Sequence, residues 1–376
     1  MRLPLPLRLA SFYFAYFAYV GASVAYLPLY FASRRLDAGE IAFLVALPPM
    51  ARIFAPTMWG WIADRSGAQR GIVVFACVAN AVCFAVLPLA GNAAVLAAVI
   101  AAMSVASAGA MPLVEAITLG SLAGQPGKYG PIRLWGSLGF IAAVLAGGAW
   151  LDREAVEALP YALAALSAAA LAVAIALPPG RVQASRRAAR FAMGDAARSL
   201  LAAGFCMAAA HGTLYAFLTL HLERIGYSGT LIGALWTLGV LAEIVVFLFL
   251  PALFRRHSLS AILLASFGCA AARFLAIGWL PGELWLLVLA QLLHAATFGA
   301  FHAASVAAVQ RVFPETAHAR GQALFSSLGY GAGGAAGALL AGFAWKAAGP
   351  GLAFTVSSAA AALGAYFAYR LKRAGL

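Results

Sequence analysis

Residues 71–90, GIVVFACVANAVCFAVLPLA, and residues 93–121, AAVLAAVIAAMSVASAGAMPLVEAITLGS, determine the fold class of this chain. The first stretch contains no charged residue, and the second contains only Glu115. About 20 consecutive apolar residues are enough for a helix to cross the hydrocarbon core of a bilayer. Both stretches therefore predict transmembrane helices, because lipid offers no hydrogen-bond partner to a non-helical backbone.

The remainder of the chain repeats this apolar pattern. Of the 376 residues, 64% are hydrophobic and only 10% are charged, whereas about 25% of the residues of a soluble domain are charged. With Gly, Pro and charged residues taken as boundaries, the chain contains candidate spans that we number 1 to 12. They lie near residues 9–31, 40–63, 71–90, 93–121, 128–150, 158–177, 197–221, 229–254, 259–279, 283–312, 319–345 and 350–369. The sequence therefore predicts an all-α polytopic membrane protein with twelve transmembrane helices.

Basic residues are distributed unequally between the two sets of alternate connections. The set that includes both termini holds 17 of the 25 Lys and Arg residues, the other set holds 5, and Arg52, Arg133 and Arg273 lie within spans. Cytoplasmic connections carry the excess of Lys and Arg in membrane proteins. Both termini are therefore predicted to be cytoplasmic, and topology explains the net charge of +13 better than nucleic-acid binding does. The 22 Arg against 3 Lys indicate a bacterium with a high-GC genome, and hence the inner membrane.

The longest polar stretch, PPGRVQASRRAARFAMGD at residues 178–195, separates spans 6 and 7. We therefore predict an N-terminal six-helix bundle at 1–177, a cytoplasmic central loop at 178–196 and a C-terminal six-helix bundle at 197–376. Two bundles joined by a basic central loop are typical of secondary transporters, in which the substrate site lies between the halves near mid-membrane.

The loop after span 2 carries a motif. Residues 60–70, GWIADRSGAQR, match the pattern G-x-x-x-D-R-x-G-x-x-R, in which glycine permits close helix approach and a tight reversal. This pattern resembles the loop motif of the major facilitator superfamily. The resemblance implies a conformational latch for the bundles, formed by Gly60, Asp64, Arg65, Gly67 and Arg70.

Acidic residues inside spans are functional candidates, because a charge at the bilayer centre costs about 2.5–3.5 kcal/mol on insertion scales. Only two of the twelve acids, Glu115 and Glu243, fall in span interiors. Glu115 and Arg133 lie about 9 Å and about 8 Å from the cytoplasmic ends of spans 4 and 5. Their side chains can therefore face each other, either as a structural ion pair or as part of a substrate or coupling site.

A second group of titratable residues lies near the midplane. Glu243 and Arg273 are about 16 Å and about 21 Å from the cytoplasmic ends of spans 8 and 9, and His294 reaches a similar depth from the opposite face. Three titratable groups at one level suit a proton relay, although a structural triad would have the same spacing. Glu243, Glu115 and His294 are therefore our candidates for proton coupling.

Span 10 presents polar and aromatic side chains on one face. Gln291, His294, Phe298 and His302 follow the spacing i, i+3, i+7, i+11 of a helical stripe. The stripe resembles the Lys-x-x-His-x-x-Glu pattern of lactose permease, with Gln291 in place of the Lys and Thr297 in place of the Glu. Any coupling proton must therefore be held by a glutamate of another span.

The resemblance extends to other spans. The branch of the superfamily that includes lactose permease has a Glu on the fourth helix and an Arg on the fifth that contact the substrate, and this chain has Glu115 and Arg133 there. Three segments are more similar to the phenylpropionate permease family: YGPIRLWGS at 129–137, LWTLGVLAEI at 235–244 and QLLHAATF at 291–298. The resemblance implies alternating access and proton-coupled uptake of a small organic solute, such as an aromatic carboxylate like phenylpropionate.

Such a substrate requires cations for its carboxylate and rings for its aromatic part. Arg133 or Arg273 could hold the carboxylate, and aromatic residues of spans 1 and 7 could stack on the ring. The candidate substrate-binding residues are Arg133, Arg273, Gln291, His294, Phe298, His302, Tyr16, Tyr19, His211 and Tyr215.

Other functions remain open at this stage. Relatives in the superfamily transport sugars or nucleosides, and an efflux antiporter for a drug or metabolite would use the same residues. A membrane-embedded enzyme is disfavoured because no cluster of nucleophile, His and Asp residues lies at an interface. We expect a monomer that binds a small-molecule substrate and protons within membrane lipid, with no cofactor, metal or nucleic acid.

Overall fold

A computed structural model describes residues 4–122, 124–180 and 193–376. Residues 181–192, which form most of the predicted central loop, lie outside this description. The α-helices of spans 1 to 6 are Leu5–Ser33, Ala38–Arg52, Ala55–Ser66, Gln69–Val86, Ala93–Ser107, Ala110–Ser121, Tyr129–Leu151 and Leu159–Ile175. Those of spans 7 to 12 are Asp195–Ala210, Gly212–Arg224, Gly229–Arg256, Leu259–Trp279, Leu284–Leu292, Phe301–Val312, His318–Phe325 and Gly334–Arg373. Short 3₁₀-helices lie at Leu87–Leu89, Pro126–Lys128, Val156–Ala158 and Glu315–Ala317.

Within the described ranges, eleven helical segments are long and apolar enough to cross a membrane. The last of them, Glu315–Arg373, has 59 residues, which is more than two spans require. Its helix is interrupted at Ala348 and at Gly349, whose φ of 76° is a left-handed conformation that glycine adopts readily. Pro350 then begins the next helix, a position that proline favours. The segment therefore comprises spans 11 and 12, in agreement with the predicted all-α fold of twelve spans.

The first of two compact units consists of Met1–Leu36, Phe54–Arg186 and Ser228–Gly233. Within it, span 1 packs along spans 5 and 6. A Cβ atom on Gly139 of span 5 would overlap the carbonyl oxygen of Phe14 in span 1. Close approach of backbones at small residues favours helix association in lipid, where no hydrophobic effect drives it. Glycine at this position therefore allows spans 1 and 5 to pack.

The second unit consists of Asp37–Ile53, Arg187–Tyr227 and Ala234–Leu376. Span 11 packs here against span 7, and a Cβ atom on Gly337 would overlap the backbone of Ala209. The first helix of span 2 belongs to this unit and packs on span 11. The division of the chain into bundles at residues 1–177 and 197–376 stays a prediction.

Several spans are interrupted near their midpoints. The α-helix stops at residues 53–54 in span 2, at residues 108–109 in span 4 and at His211 in span 7, and spans 10 and 11 contain π-helices at Ala295–Ala300 and Ser326–Gly333. π-Helical turns are rare and occur frequently at functional sites. Irregular backbone at membrane depth is tolerated where it is buried in protein or lines a water-filled cavity. The interruptions therefore indicate where polar chemistry is located in these spans.

Candidate functional site

Arg273 is the centre of a buried hydrogen-bond network in the second unit. Its side chain lies in span 9 and is 1% exposed. Its Nη1 donates to His294 Nδ1 at 2.9 Å and to Thr297 Oγ1 at 3.0 Å. Its Nη2 donates to Gln291 Oε1 at 3.1 Å. All three acceptors are neutral in these bonds and lie on span 10, so the network joins spans 9 and 10 around one full positive charge.

These hydrogen bonds also define the protonation of two histidines. Arginine only donates, so His294 Nδ1 accepts and the ring proton resides on Nε2. His211 Nδ1 lies 2.9 Å from the carbonyl oxygen of Met207, which only accepts, and its Nε2 lies 3.4 Å from Thr297 Oγ1. His294 is therefore neutral with its proton on Nε2, His211 carries a proton on Nδ1, and Thr297 extends the chain of hydrogen bonds from Arg273 to His211.

Glu243 of span 8 lies beside this network. Its Oε2 is 4.0 Å from His294 Nε2, the ring nitrogen that carries the proton. The side chain of Glu243 is 20% exposed and that of His294 is 11% exposed, so the acid is the more accessible of the two. A neutral imidazole therefore connects an acid of span 8 to the buried cation Arg273. At this low dielectric, a change of charge on the acid acts strongly on the cation.

A row of rings continues along span 10. The centroids of His294 and Phe298 are 5.2 Å apart with planes at 18°, and those of Phe298 and His302 are 6.5 Å apart with planes at 15°. His302 Nδ1 lies 2.7 Å from the hydroxyl of Tyr330, which belongs to the π-helix of span 11. Tyr330 is not among the predicted residues, because the glycine-rich sequence around it indicates only close packing. Parallel rings of this kind can stack on a planar ligand.

Tyr215 of span 7 lies next to the network. Its ring is nearly parallel to that of Trp236, at 6.4 Å and 16°, and its centroid is 6.1 Å from that of His211. It also interacts electrostatically with Arg273 and Glu243. The structure thus brings together the predicted residues of the C-terminal half: His211, Tyr215, Glu243, Arg273, Gln291, His294, Phe298 and His302.

In the first unit, Glu115 and Arg133 make separate contacts. Glu115 Oε1 accepts a hydrogen bond from the hydroxyl of Tyr129 at 3.4 Å. The guanidinium carbon of Arg133 lies 4.2 Å from the centroid of the Phe17 ring and 5.6 Å from that of Tyr13. The charges of Glu115 and Arg133 interact electrostatically, but no direct ion pair joins them in the described part of the chain. The expected face-to-face pair is therefore replaced by a cation–π contact to span 1.

Tyr16 and Tyr19 of span 1 lie in a group of aromatic rings. Tyr19 is 6% exposed and accepts a hydrogen bond from Asn80 Nδ2 at 2.9 Å. The ring of Tyr16 lies 5.0 Å from that of Tyr19, 5.7 Å from that of Phe12 and 5.4 Å from that of Phe17. These contacts place Tyr19 in the packing of span 1 against span 3. A role of either tyrosine in substrate binding stays a prediction.

The motif loop has the backbone that its glycine predicts. Gly67 ends the helix before it with a φ of 67°, the left-handed conformation typical of a helix C-terminus. Arg70 Nη1 donates to the carbonyl oxygen of Leu177 at 3.3 Å, which joins the loop to the end of span 6. Asp64 and Arg65 are exposed. The latch function of this loop stays a prediction.

Asp152, which the sequence places in the connection between spans 5 and 6, caps a helix 77 residues away. Its Oδ1 accepts from the backbone N–H of Gly229 at 2.5 Å. Its Oδ2 accepts from the N–H of Thr230 at 2.9 Å and from the hydroxyl of Thr230 at 2.6 Å. Hydrogen bonds from Thr230 above all hold the pKa of Asp152 below its usual value. No local sequence pattern signals a cap from so distant a residue.

Comparison with known proteins identifies the relatives of this chain. The model of the MFS_1 like family matches residues 6–356. The chain is 30% identical over 328 residues to a maltose permease of Geobacillus stearothermophilus, and the aligned region covers 86% of this chain and 83% of the permease. It is 31% identical over 255 residues to a probable 3-phenylpropionic acid transporter of Escherichia coli K12, and this aligned region covers 64% of this chain and 65% of that protein.

Solved structures resemble the fold over its whole length. The nucleoside transporter NupG superposes with a TM-score of 0.85 at 18% identity, covering 99% of this chain and 100% of NupG. A bacterial homolog of the human lysosomal transporter Spinster superposes with a TM-score of 0.72 at 17% identity, covering 98% of this chain and 96% of that one. At these identities the likeness concerns the fold alone. The sequence relatives and structural neighbours are transporters and not enzymes, as the sequence predicts.

Proposed function

The chain belongs to the MFS_1 like family of the major facilitator superfamily and is a multi-pass membrane transporter, and we propose that it imports a small organic carboxylate together with a proton by alternating access. The arrangement of the partly exposed Glu243 beside the buried pair His294 and Arg273 is the observation that carries this proposal. The relative in E. coli, a probable 3-phenylpropionic acid transporter, supports an aromatic carboxylate as the substrate.

In this proposal Glu243 binds the transported proton. His294 accepts a hydrogen bond from Arg273 and cannot take a second proton without losing that bond. Glu243 is partly exposed, so its charge can change while the network around Arg273 stays intact. A substrate carboxylate bound near Glu243 would repel the charged form of this acid, and binding of the anion and of the proton therefore favour each other.

With a proton gradient directed inward, this reciprocity would drive import. On the outside, protonation of Glu243 removes the repulsion and the carboxylate binds. In the more alkaline cytoplasm the proton leaves, the negative charge returns and the carboxylate is released. Arg133, Tyr16 and Tyr19 are the further candidates for substrate contacts in this proposal, and the motif loop at residues 60–70 would act as the latch.

Uptake of radiolabelled 3-phenylpropionate into proteoliposomes tests this proposal. We expect accumulation when the external medium is more acidic than the lumen, and loss of accumulation when an uncoupler is added. Glu243→Gln should abolish accumulation but keep exchange of labelled for unlabelled substrate, because a permanently neutral side chain mimics the protonated acid. Glu115→Gln should keep proton-driven accumulation, and Glu223→Gln, an exposed acid, serves as the matched control.

Two results would contradict the assignment of the coupling proton to Glu243. Accumulation that is indifferent to the pH gradient would remove proton coupling. Proton-driven accumulation lost in Glu115→Gln but kept in Glu243→Gln would move the proton site to the first unit.

A sugar is the second candidate substrate, since the chain is 30% identical to a maltose permease. The same liposomes should therefore be tested with labelled maltose. Proton-driven accumulation of maltose without accumulation of 3-phenylpropionate would replace the carboxylate by a sugar and leave the coupling mechanism in place.

We further propose that the protein is a monomer in a bacterial inner membrane, with both termini in the cytoplasm. The excess of Lys and Arg in the connections that include the termini supports this orientation. A reporter that fluoresces only in the cytoplasm, fused after Leu376, should be fluorescent. A periplasmic alkaline phosphatase fused at the same residue should be inactive.

A further inference from the structure

We infer that Arg52, rather than Arg273, holds the carboxylate of the transported anion. This inference rests on the proposed function and deepens it by naming the residue that recognises the substrate. Arg52 lies in span 2, which extends over Ala38–Ser66 with fourteen residues on each side of it. At 1.5 Å per residue, its Cα is about 21 Å from either end of the span, at the centre of the membrane.

A charge at this depth requires an explanation. On insertion scales an arginine at the centre of a span costs about 2.5–3.5 kcal/mol, so such residues face the interior of the protein and mark functional sites. Arg52 is in the last turn of Ala38–Arg52, and the helix resumes only at Ala55. A cation at a helix C-terminus is stabilised by the carbonyl groups there. The break therefore offsets part of the cost of the charge.

Arg52 lies in the same electrostatic environment as Glu243. It interacts electrostatically with Tyr215 of span 7 and with Tyr330 of span 11. The same two tyrosines interact electrostatically with Glu243. Arg52 and Glu243 therefore belong to one polar region of the second unit.

Packing around the break holds Arg52 near the π-helix of span 11. A Cβ atom on Gly331 would lie 3.0 Å from the side chain of Ile53 and 3.3 Å from the carbonyl oxygen of Pro49. Gly331 directly follows Tyr330, whose hydroxyl lies 2.7 Å from His302 Nδ1. The glycine thus allows the broken segment of span 2 to approach the end of the aromatic row.

Arg273 is a poor candidate for the same role. It is 1% exposed, and its two terminal nitrogens already donate to His294, Thr297 and Gln291. Its Nε has no hydrogen-bond partner among the described residues, but the side chain is so completely buried that a carboxylate could reach this nitrogen only after neighbouring groups moved. Arg52 is exposed. Its planar guanidinium can donate two parallel hydrogen bonds to one carboxylate, the geometry that makes Arg–carboxylate pairs strong.

The ligand chemistry follows from the surroundings. A single carboxylate at Arg52 places the rest of the molecule beside Tyr330 and the row formed by His302 and Phe298, whose planes are parallel within 15°. A planar or aromatic body stacks on such a row. A carboxylate bound to Arg52 would lie in the polar region that contains Glu243, so the negative charges of the ligand and of an ionised Glu243 repel each other. Recognition of the anion and coupling to the proton are thereby linked.

Binding measurements that remove the charge of Arg52, the charge of the ligand, or both test this inference. We would measure binding of 3-phenylpropionate and of its uncharged amide to the purified wild-type protein, Arg52→Gln, Arg52→Lys and the control Arg255→Gln, an exposed cation between spans 8 and 9. Charge-assisted hydrogen bonds of 1.5–3 kcal/mol correspond to about 10- to 150-fold in Kd. Arg52→Gln should raise the Kd for the carboxylate by this factor and change the Kd for the amide less than about 2-fold.

Arg52→Lys keeps the charge but loses the planar fork, so its Kd for the carboxylate should fall between those of the wild type and Arg52→Gln. Binding of the amide shows that each variant is folded. A carboxylate preference that persists in Arg52→Gln overturns the inference and leaves the proposed function intact. Equal loss of both ligands in Arg52→Gln and Arg52→Lys also overturns it, because the role would be structural. A wild-type protein that binds neither ligand refutes the proposed substrate itself.

Discussion

Replacing Asp152 by alanine should loosen the start of span 8 without unfolding the protein. The carboxylate accepts two backbone N–H groups and one hydroxyl at Gly229 and Thr230. The first N–H groups of a helix have no partner within the helix, and loss of an N-terminal cap costs about 0.5–2 kcal/mol. This corresponds to about 2- to 30-fold faster exchange of the amide hydrogens of Gly229 and Thr230 if local opening controls exchange.

Hydrogen–deuterium exchange of the purified protein measures this effect. The amide of Leu231 provides an internal control, because it donates to Ser228 Oγ at 3.2 Å and not to Asp152. Glu154→Ala removes a neighbouring exposed acid and should leave all three amides unchanged. Unchanged exchange at Gly229 in Asp152→Ala would refute the reasoning, and equal acceleration at Leu231 would show that the effect is not specific to the cap.

The same contact gives a pH dependence with a defined sign. Hydrogen bonds from Thr230 hold the pKa of Asp152 below its usual value of 3.8. A carboxyl group with a lowered pKa in the folded state stabilises that state above its unfolded pKa, and the stabilisation is lost as the pH falls through the folded pKa. Protection of the Gly229 amide, corrected for intrinsic exchange, should therefore stay constant from neutral pH to about pH 5 and decline only below 3.8.

Two further predictions concern packing and a surface ion pair. Gly139→Ala should lower the thermal stability of the purified protein, since its Cβ atom would overlap the backbone of Phe14. Gly130→Ala, which has open space around it, should leave the stability unchanged. Equal melting temperatures for the two variants would contradict the close packing of spans 1 and 5. Lys346 Nζ lies 2.8 Å from Asp37 Oδ2, and this bond holds the pKa of Asp37 below its usual value. Because the pair is exposed, Lys346→Ala should change stability little and less at high salt, and a large, salt-independent loss would refute a purely surface role.

The sequence predicts the spans well because its signal is strong and local. A stretch such as residues 259–279 has the length and hydropathy that lipid requires, and the helix Leu259–Trp279 has those bounds. The interruptions of helices are harder to predict. Pro48 and Pro49 lie inside the helix Ala38–Arg52, which ends only at Arg52. The backbone of the π-helices depends on packing between spans, which a single helical pattern does not reveal.

In the candidate site too, spacing along one helix could be predicted from the sequence, whereas contacts between spans could not. The stripe at Gln291, His294 and Phe298 follows from helical spacing, and the structure joins Gln291 and His294 to Arg273 by hydrogen bonds. The depth of Glu115 and Arg133 suggested a direct pair, but depth does not determine the direction of a side chain, and Arg133 lies over the Phe17 ring instead. The tautomers of the histidines follow only from the donors and acceptors around them, which belong to other spans.

Proton uptake by the purified protein on addition of substrate tests the central claim most directly. In weakly buffered detergent solution, at a pH where Glu243 is charged in the free protein, addition of 3-phenylpropionate should make the wild-type protein take up protons. Glu243→Gln should bind the same ligand without any proton uptake, whereas Glu115→Gln should behave as the wild type does. Proton uptake that persists in Glu243→Gln would contradict the account, because the coupling proton would then reside on another group.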